Sequence, residues 1–192
     1  MRTCGVILAG GKSSRMGKNK ALLPILGKPV IQHVAKTLSQ CTEEVFIIAN
    51  KPSDYAFLNV PIFSDRYVHI GPLGGMESAF YHIKADRYVF AACDMPFVNP
   101  DVYNLLLGKL GLYEAVIPVY DQHMHPLCGI YHKSIFFQIV EQINKHDYKL
   151  KHLLDQIHVN YISTFDGVPN KTLKKHFFNM NDPNEYEKAK LL

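Results

Sequence analysis

An apolar run, Cys4-Gly5-Val6-Ile7-Leu8, breaks at Ala9-Gly10-Gly11 into a segment that carries Lys12, Arg15, Lys18 and Lys20 within nine residues. The run has the length and composition of a buried strand. Adjacent glycines let the backbone turn sharply and lie close to a ligand. A strand that ends in such a turn and meets a cluster of cations has the parts of a polyphosphate cradle: backbone N–H groups and positive side chains. A plain turn into a solvated basic loop would use the same glycines, but Arg15 and Lys20 in one short segment favour phosphate.

Two common phosphate loops do not fit. A P-loop ending at Lys12-Ser13 needs glycine at position 6, where the chain has Val6; Gly5 is one residue early. The dinucleotide fingerprint needs a residue between its first two glycines, and Gly10 and Gly11 are adjacent.

Beyond this turn the chain alternates between strand and helix patterns. Thr3–Leu8, Val45–Ala49, Pro61–Ser64, Arg87–Ala92 and Ala115–Val119 read as strands. Pro29–Leu38, Leu73–Ile83 and Pro100–Leu110 read as helices, the last with Asn99 as N-cap and Pro100 at its first position. Later, Leu127–Tyr131 reads as a return strand, Ser134–Asn144 and Leu150–Ile157 as helices, Val159–Ser163 as a short strand, and Pro183–Ala189 as a final helix capped by Asp182. Lys171–Lys175 reads as a solvated basic loop, and Phe177-Phe178 as an aromatic strand before the last helix. The expectation is an α/β fold: a single-domain, Rossmann-like, doubly wound and mainly parallel sheet in three αβα layers, spanning residues 1–192. In such sheets ligands sit beyond the carboxyl ends of the strands. The glycine turn, Asn50, Asp65 and Asp94 all follow strand candidates and should gather there.

Composition narrows the class. The 192 residues are 47% hydrophobic, which excludes disorder, and the net charge of +4 fits an anionic substrate without signalling nucleic acid. Cys4, Cys41, Cys93 and Cys128 are far apart and signal neither zinc nor a redox dithiol. Cys4 and Cys93 read as reduced core residues. No apolar run reaches the ~18 residues of a membrane span, and the start lacks a signal-peptide pattern, so the expected location is cytoplasmic.

Chemistry-bearing residues then stand out. Asp94 ends the small apolar run Ala91-Ala92-Cys93 and has no base near it in sequence. A strand-end aspartate is commonly a turn residue; facing a phosphate turn, it is also the single carboxylate with which magnesium, completed by substrate phosphates, is held. Asp65 closes Ile62-Phe63-Ser64 and could accept a planar N–H pair such as guanine presents, or be a surface loop residue. Gly71-Pro72-Leu73-Gly74-Gly75-Met76 is a second glycine-rich helix entry, suited to a base or sugar or to a plain turn. His123-Met124-His125 lacks further ligands and makes a poor zinc site.

Together these stretches resemble the molybdenum cofactor guanylyltransferase family over nearly the whole chain: Leu8-Ala9-Gly10-Gly11 with Arg15-Met16-Gly17 and Lys20, Gly71–Met76, Cys93-Asp94-Met95-Pro96, His125-Pro126 and Asn179-Met180-Asn181-Asp182-Pro183. The first motif is shared by many nucleotidyltransferases; Gly10 beside Gly11 favours this family over the related cytidylyltransferase. The resemblance implies transfer of GMP from magnesium-GTP to molybdopterin with release of pyrophosphate. It implies nucleotide contacts at Leu8, Ala9, Gly10, Gly11, Lys20, Asp65 and Gly71, and Mg2+ on Asp94. Arg15, Lys20 and Asp94 are the catalytic candidates, and the Ala9–Gly11 amides are expected to fix the phosphates. The 121–133 loop with Asn179 and Asn181 is expected on the pterin side. GTP, the molybdopterin cofactor and molybdoenzyme maturation proteins are the partners so implied, with no nucleic acid and no membrane. Two positions depart from the family pattern: Ile48 stands where some members have asparagine, and Gly75 where alanine is usual. The alternatives are CMP transfer to the same cofactor, a sugar-1-phosphate acceptor, or a non-catalytic nucleotide-binding maturation factor.

Overall fold

A computed structural model of the protein describes residues 1–10, 19–67 and 69–192. Its first strand, β1 (Thr3–Leu8), is buried along its whole length. The chain continues through a short antiparallel hairpin, β2 (Pro24–Ile25) and β3 (Lys28–Pro29), then α1 (Val30–Leu38), β4 (Glu44–Ile48), β5 (Ile62–Phe63), α2 (Pro72–His82) and β6 (Arg87–Ala92). It goes on with α3 (Pro100–Gly108), β7 (Ala115–Tyr120), β8 (His123–Met124), β9 (Ile130–His132), α4 (Phe136–Asn144), α5 (Leu150–Leu154), β10 (Val159–Ile162), α6 (Asn170–His176) and α7 (Pro183–Lys190).

The main sheet runs β10-β7-β9-β6-β1-β4-β5, with β8 paired to β7. β1 pairs in parallel with β4 and β6, β4 with β5, and β7 with β10. β9 is inserted antiparallel between β6 and β7. Because strand side chains alternate between faces, each central strand feeds two cores. Cys4, Val6 and Leu8 of β1 pack with Phe46, Ile48, Tyr88 and Phe90 on the face covered by α2, α4 and α5. Ile7, Val45, Ile47, Val89 and Ala91 pack on the other face with residues of α1, α3, α6 and α7. This is the three-layer, mainly parallel architecture expected.

Local chemistry explains the helices. In α1, Val30, Ile31, Val34 and Leu38 form one fully buried stripe. Each such burial stabilises by about 1.5–3 kcal/mol relative to exposure, more than helix propensity supplies. The end of α1 meets β1 at Gly5, where a β-carbon would stand 3.1 Å from that of Leu38. Asn99 caps α3 by accepting from the Asp101 amide at 2.8 Å, and Asp182 caps α7 by accepting from the Glu185 amide at 2.9 Å.

Two expectations fail. Lys171–Lys175 is not a loop but lies within α6, which buries Leu173 and His176 and turns its lysines outward. Phe177-Phe178 is not a strand: Phe177 caps α6 and its ring stacks on Tyr120 at 4.8 Å. Elsewhere boundaries shift. The return strand is only Ile130–His132 because Pro126–Cys128 forms a 3-10 turn, and the fifth helix stops at Leu154. Among the described residues no helix is long and apolar enough to cross a membrane.

Candidate active site

The parallel strands β1, β4, β5 and β6 end at one edge of the sheet, so the segments that follow them meet there. Sheet order then sets who stands where. Asp94 follows β6 on one side of β1, and Asp65 follows β5 on the other. Gly10 lies between: it lines the cleft that contains Asp94, and a β-carbon on it would stand 3.4 Å from Asp65 Oδ2. Gly10 is therefore the seam across which a ligand would reach both carboxylates.

The described residues that flank the basic segment are anchored. The Ala9 amide donates to Ile48 O at 2.9 Å, and Tyr55 Oη donates to Ala9 O at 3.4 Å. Asn19 Nδ2 donates to the same buried Tyr55 hydroxyl at 2.9 Å, while Asn19 Oδ1 accepts from the Ala21 amide at 3.1 Å. Tyr55 thus ties Ala9 to Asn19, the described residues on either side of the basic segment. Gly11 and Arg15 lie outside the described residues. The expectation that the Ala9 amide holds phosphate needs correction: that N–H is already committed to β4.

Lys20 emerges from this anchor. Its Nζ lies 3.2 Å from Asn181 Oδ1 and 3.9 Å from Asp94 Oδ2. The base that sequence proximity did not offer Asp94 is supplied by the neighbouring strand's turn. Burial raises the Asp94 pKa above the usual carboxylate range, and the Lys20 charge works against that rise. The Met180 amide donates to Asp94 O at 2.9 Å, and Tyr186 Oη donates to Pro24 O at 3.0 Å. The C-terminal segment is thereby strapped across both Asp94 and the hairpin after Lys20. Asn181, expected beside the pterin with Asn179, accepts from Lys20 Nζ. Asn179 lines the cleft, and its Oδ1 is buried without a hydrogen-bond partner among the described residues.

The cleft measures about 410 Å3 and is walled by Leu8, Gly10, Cys93, Asp94, His125 and Asn179, with Met95, Met124 and Leu127 adding apolar surface. Burial lowers the pKa of His125, whose ring packs on Phe177 at 4.6 Å, so the imidazole is neutral near pH 7. Cys93, expected in the core, also lines this cleft. Burial, aided by the neighbouring Asp94, pushes its thiol up to about 12, so it is not a ready nucleophile.

Cys128 and His176 form a buried pair that sequence reasoning missed. The Asn99 amide donates to His176 Nδ1 at 2.8 Å, which places the ring proton on Nε2, 3.0 Å from Cys128 Sγ. Cys128 in turn donates to Tyr103 Oη at 3.4 Å, and Tyr103 donates to Phe90 O at 3.2 Å. With both ring nitrogens engaged, His176 cannot take the thiol proton. The pair is a structural strut between α6 and the cleft floor.

On the other side, Asp65 is half-buried, and burial raises its pKa while the nearby Ser78 hydroxyl works against that rise. Gly71 is glycine for a conformational reason: φ is +77° and ψ is −159°, a region essentially closed to other residues. It heads α2 with open space around it, and Pro72 rather than Gly71 lines the cleft. Among the described residues no three His, Cys, Asp or Glu side chains converge as a metal site, His123 and His125 included. A lone Asp94 fits a hard cation whose other ligands come with the substrate, and does not fit a protein-caged metal.

A family model described as the MobA-like NTP transferase domain matches residues 5–160. The chain belongs to that family. It is a nucleotidyltransferase, and similarity over nearly its full length groups it with the molybdenum cofactor guanylyltransferases. A protein from Clostridium perfringens described as a probable molybdenum cofactor guanylyltransferase is 37% identical over 97% of this chain and 96% of its own. One of the same description from Carboxydothermus hydrogenoformans is 36% identical over 95% and 92%. The crystal structure of molybdopterin-guanine dinucleotide biosynthesis protein A from Archaeoglobus fulgidus superposes with a TM-score of 0.82 at 25% identity, covering 98% of this chain and 97% of that one.

Proposed function

We propose that this nucleotidyltransferase moves GMP from magnesium-GTP to the terminal phosphate of molybdenum-molybdopterin, releasing pyrophosphate. The observation that carries the reading is the placement of Lys20 and Asp94 on one side of Gly10 and of Asp65 on the other. A nucleotide lying across Gly10 would put its phosphates at the first pair and its base at Asp65.

An acceptor phosphate oxygen is already anionic and needs no strong base. It attacks the α-phosphorus, the bond from that phosphorus to the bridging oxygen breaks, and pyrophosphate leaves with the bonding pair. The barrier is the approach of one anion to another, so positioning and charge neutralisation do the work. Lys20, steadied by Asn181, neutralises charge that moves onto the leaving group; Arg15, five residues earlier in the sequence, adds a second cation. The Gly10 and Gly11 backbone lets phosphate approach closely, and Leu8 and Ala9 form the wall behind it. Asp94 would hold Mg2+, which supplies charge neutralisation at the phosphates. Asp65 accepts the N–H pair of guanine, and Gly71 opens the start of α2 beside it. The apolar cleft with His125 and Asn179 receives the flat acceptor ring. The whole chain then acts as one domain, its early half holding the nucleotide and its later half the acceptor.

Incubation with molybdopterin, Mg2+ and each nucleoside triphosphate in turn tests this. Pyrophosphate release with GTP well above CTP and ATP is expected. Release favouring CTP, or transfer only to a sugar 1-phosphate, would move the protein to another branch of the fold; binding without release would make it a maturation factor.

A further inference from the structure

The carboxylate of Asp65 can read a base only if both its oxygens stay available, yet the next residue in the chain is an arginine. The fold diverts that cation. Arg66 pairs through Nη1 with the buried Glu77 Oε1, and its guanidinium lies 3.5 Å over the Tyr81 ring. What fixes Asp65 instead is a hydroxyl from α2. Ser78 is fully buried, and its Oγ accepts from the Arg66 amide at 2.8 Å, donates to Gly74 O at 2.9 Å and stands 3.5 Å from Asp65 Oδ1.

A hydroxyl has one proton and two lone pairs. The short bond to Gly74 O takes the proton, and the Arg66 N–H fills a lone pair. Asp65 Oδ1 is left at the outer limit of hydrogen-bond distance, adjacent to the hydroxyl but not consumed by it. The result pins the main chain one residue past Asp65 to the rigid start of α2. The carboxylate itself sits in a slot walled by two glycines: β-carbons at Gly10 and Gly75 would stand 3.4 Å and 3.5 Å from its two oxygens.

We propose that Ser78 is a positioning residue for nucleobase selection: by holding the Arg66 amide it aims the Asp65 carboxylate at the N–H pair of a 2-amino-6-oxopurine. This rests on the reading of Asp65 as the base reader. A nucleotide whose base lacks that donor pair gains nothing from the alignment, so loss of Ser78 acts on GTP and spares ATP.

Calorimetric dissociation constants for GTP and ATP, both with Mg2+, test it on wild type, Ser78→Ala, Ser78→Thr and Asp65→Ala. Ser78→Ala should weaken GTP by about tenfold, leave ATP within about twofold and leave kcat at saturating GTP unchanged. Ser78→Thr, which keeps the hydroxyl, should recover most of the loss. Equal weakening of both nucleotides, or none of either, overturns the role of Ser78. If Asp65→Ala loses the GTP preference while Ser78→Ala keeps it, only the Ser78 proposal falls. If Asp65→Ala keeps the preference, the base reader lies elsewhere and both readings fall.

Discussion

Lys20 Nζ lies 3.9 Å from Asp94 Oδ2, although one residue follows β1 and the other β6. Neither is far from water, with side chains 16% and 27% exposed. The pair therefore serves less as a stabilising ion pair than as a site already charged for its ligand. On the proposed function, an arriving nucleotide would offer Lys20 its phosphates and Asp94 a cation, so that each partner exchanges one opposite charge for another.

Replacing Lys20 by Ala should lower kcat by about 10²–10³, the usual loss when one charge-stabilising donor is removed, with KM for GTP changed far less. Steady-state pyrophosphate release measures both. Turnover at the parent rate would remove Lys20 from the chemistry.

Asp65→Asn would put an amide N–H where, on the proposed function, the carboxylate accepts from the base. The kcat/KM for GTP should fall by about 10², because one bidentate, charge-assisted contact becomes part repulsive. That for ATP should hold or rise. Parallel declines would show that Asp65 supports the fold and does not read the base.

Adjacent glycines in α2 should respond in opposite ways. A β-carbon at Gly74 would stand 2.8 Å from the backbone oxygen of Tyr67, which cannot give way cheaply. Gly74→Ala should cost about 1–3 kcal/mol. At Gly75 the near atom is the end of the Leu8 side chain at 3.2 Å, which can shift. Gly75→Ala should gain up to about 1 kcal/mol from helix propensity, less the cost of moving Leu8. Denaturant melts of the two variants compare them directly.

His176 should make the fold acid-sensitive. Burial lowers its pKa from 6.5 to about 3. The unfolded chain thus binds a proton that the folded one refuses, and its stabilising contribution, complete above pH 6.5, is lost as pH falls toward 3. Between pH 7.5 and pH 5 the loss should be about 2 kcal/mol. His176→Gln, which can still bond Asn99 and Cys128, should flatten that slope. An unchanged slope would show that other groups set it.

The strands and most helices were legible because their signals are local: short continuous apolar runs in β1 and β6, the Asn99-Pro100 start of α3, the Asp182-Pro183 start of α7. The basic stretch Lys171–Lys175 misled because its burial depends on Leu173 and His176 alone, too few apolar positions to read as a stripe. The carboxylates were legible as strand-end residues. Their partners were not, because Lys20 reaches Asp94 only through β1–β6 pairing, and Asn181 reaches Lys20 only through the strap of the C-terminal segment. Ser78 gave no signal at all: a serine inside an apolar helix names no partner until the helix is packed.

Asp94 and the basic segment after β1 should grip a nucleotide together with its cation. Calorimetric titration of GTP in excess Mg2+, repeated in EDTA and with Asp94→Asn, addresses that claim most directly. Uptake by wild type should weaken at least about tenfold when the metal is removed. Asp94→Asn should bind weakly and equally in both conditions. GTP bound by the wild-type protein with the same affinity in Mg2+ and in EDTA would contradict it.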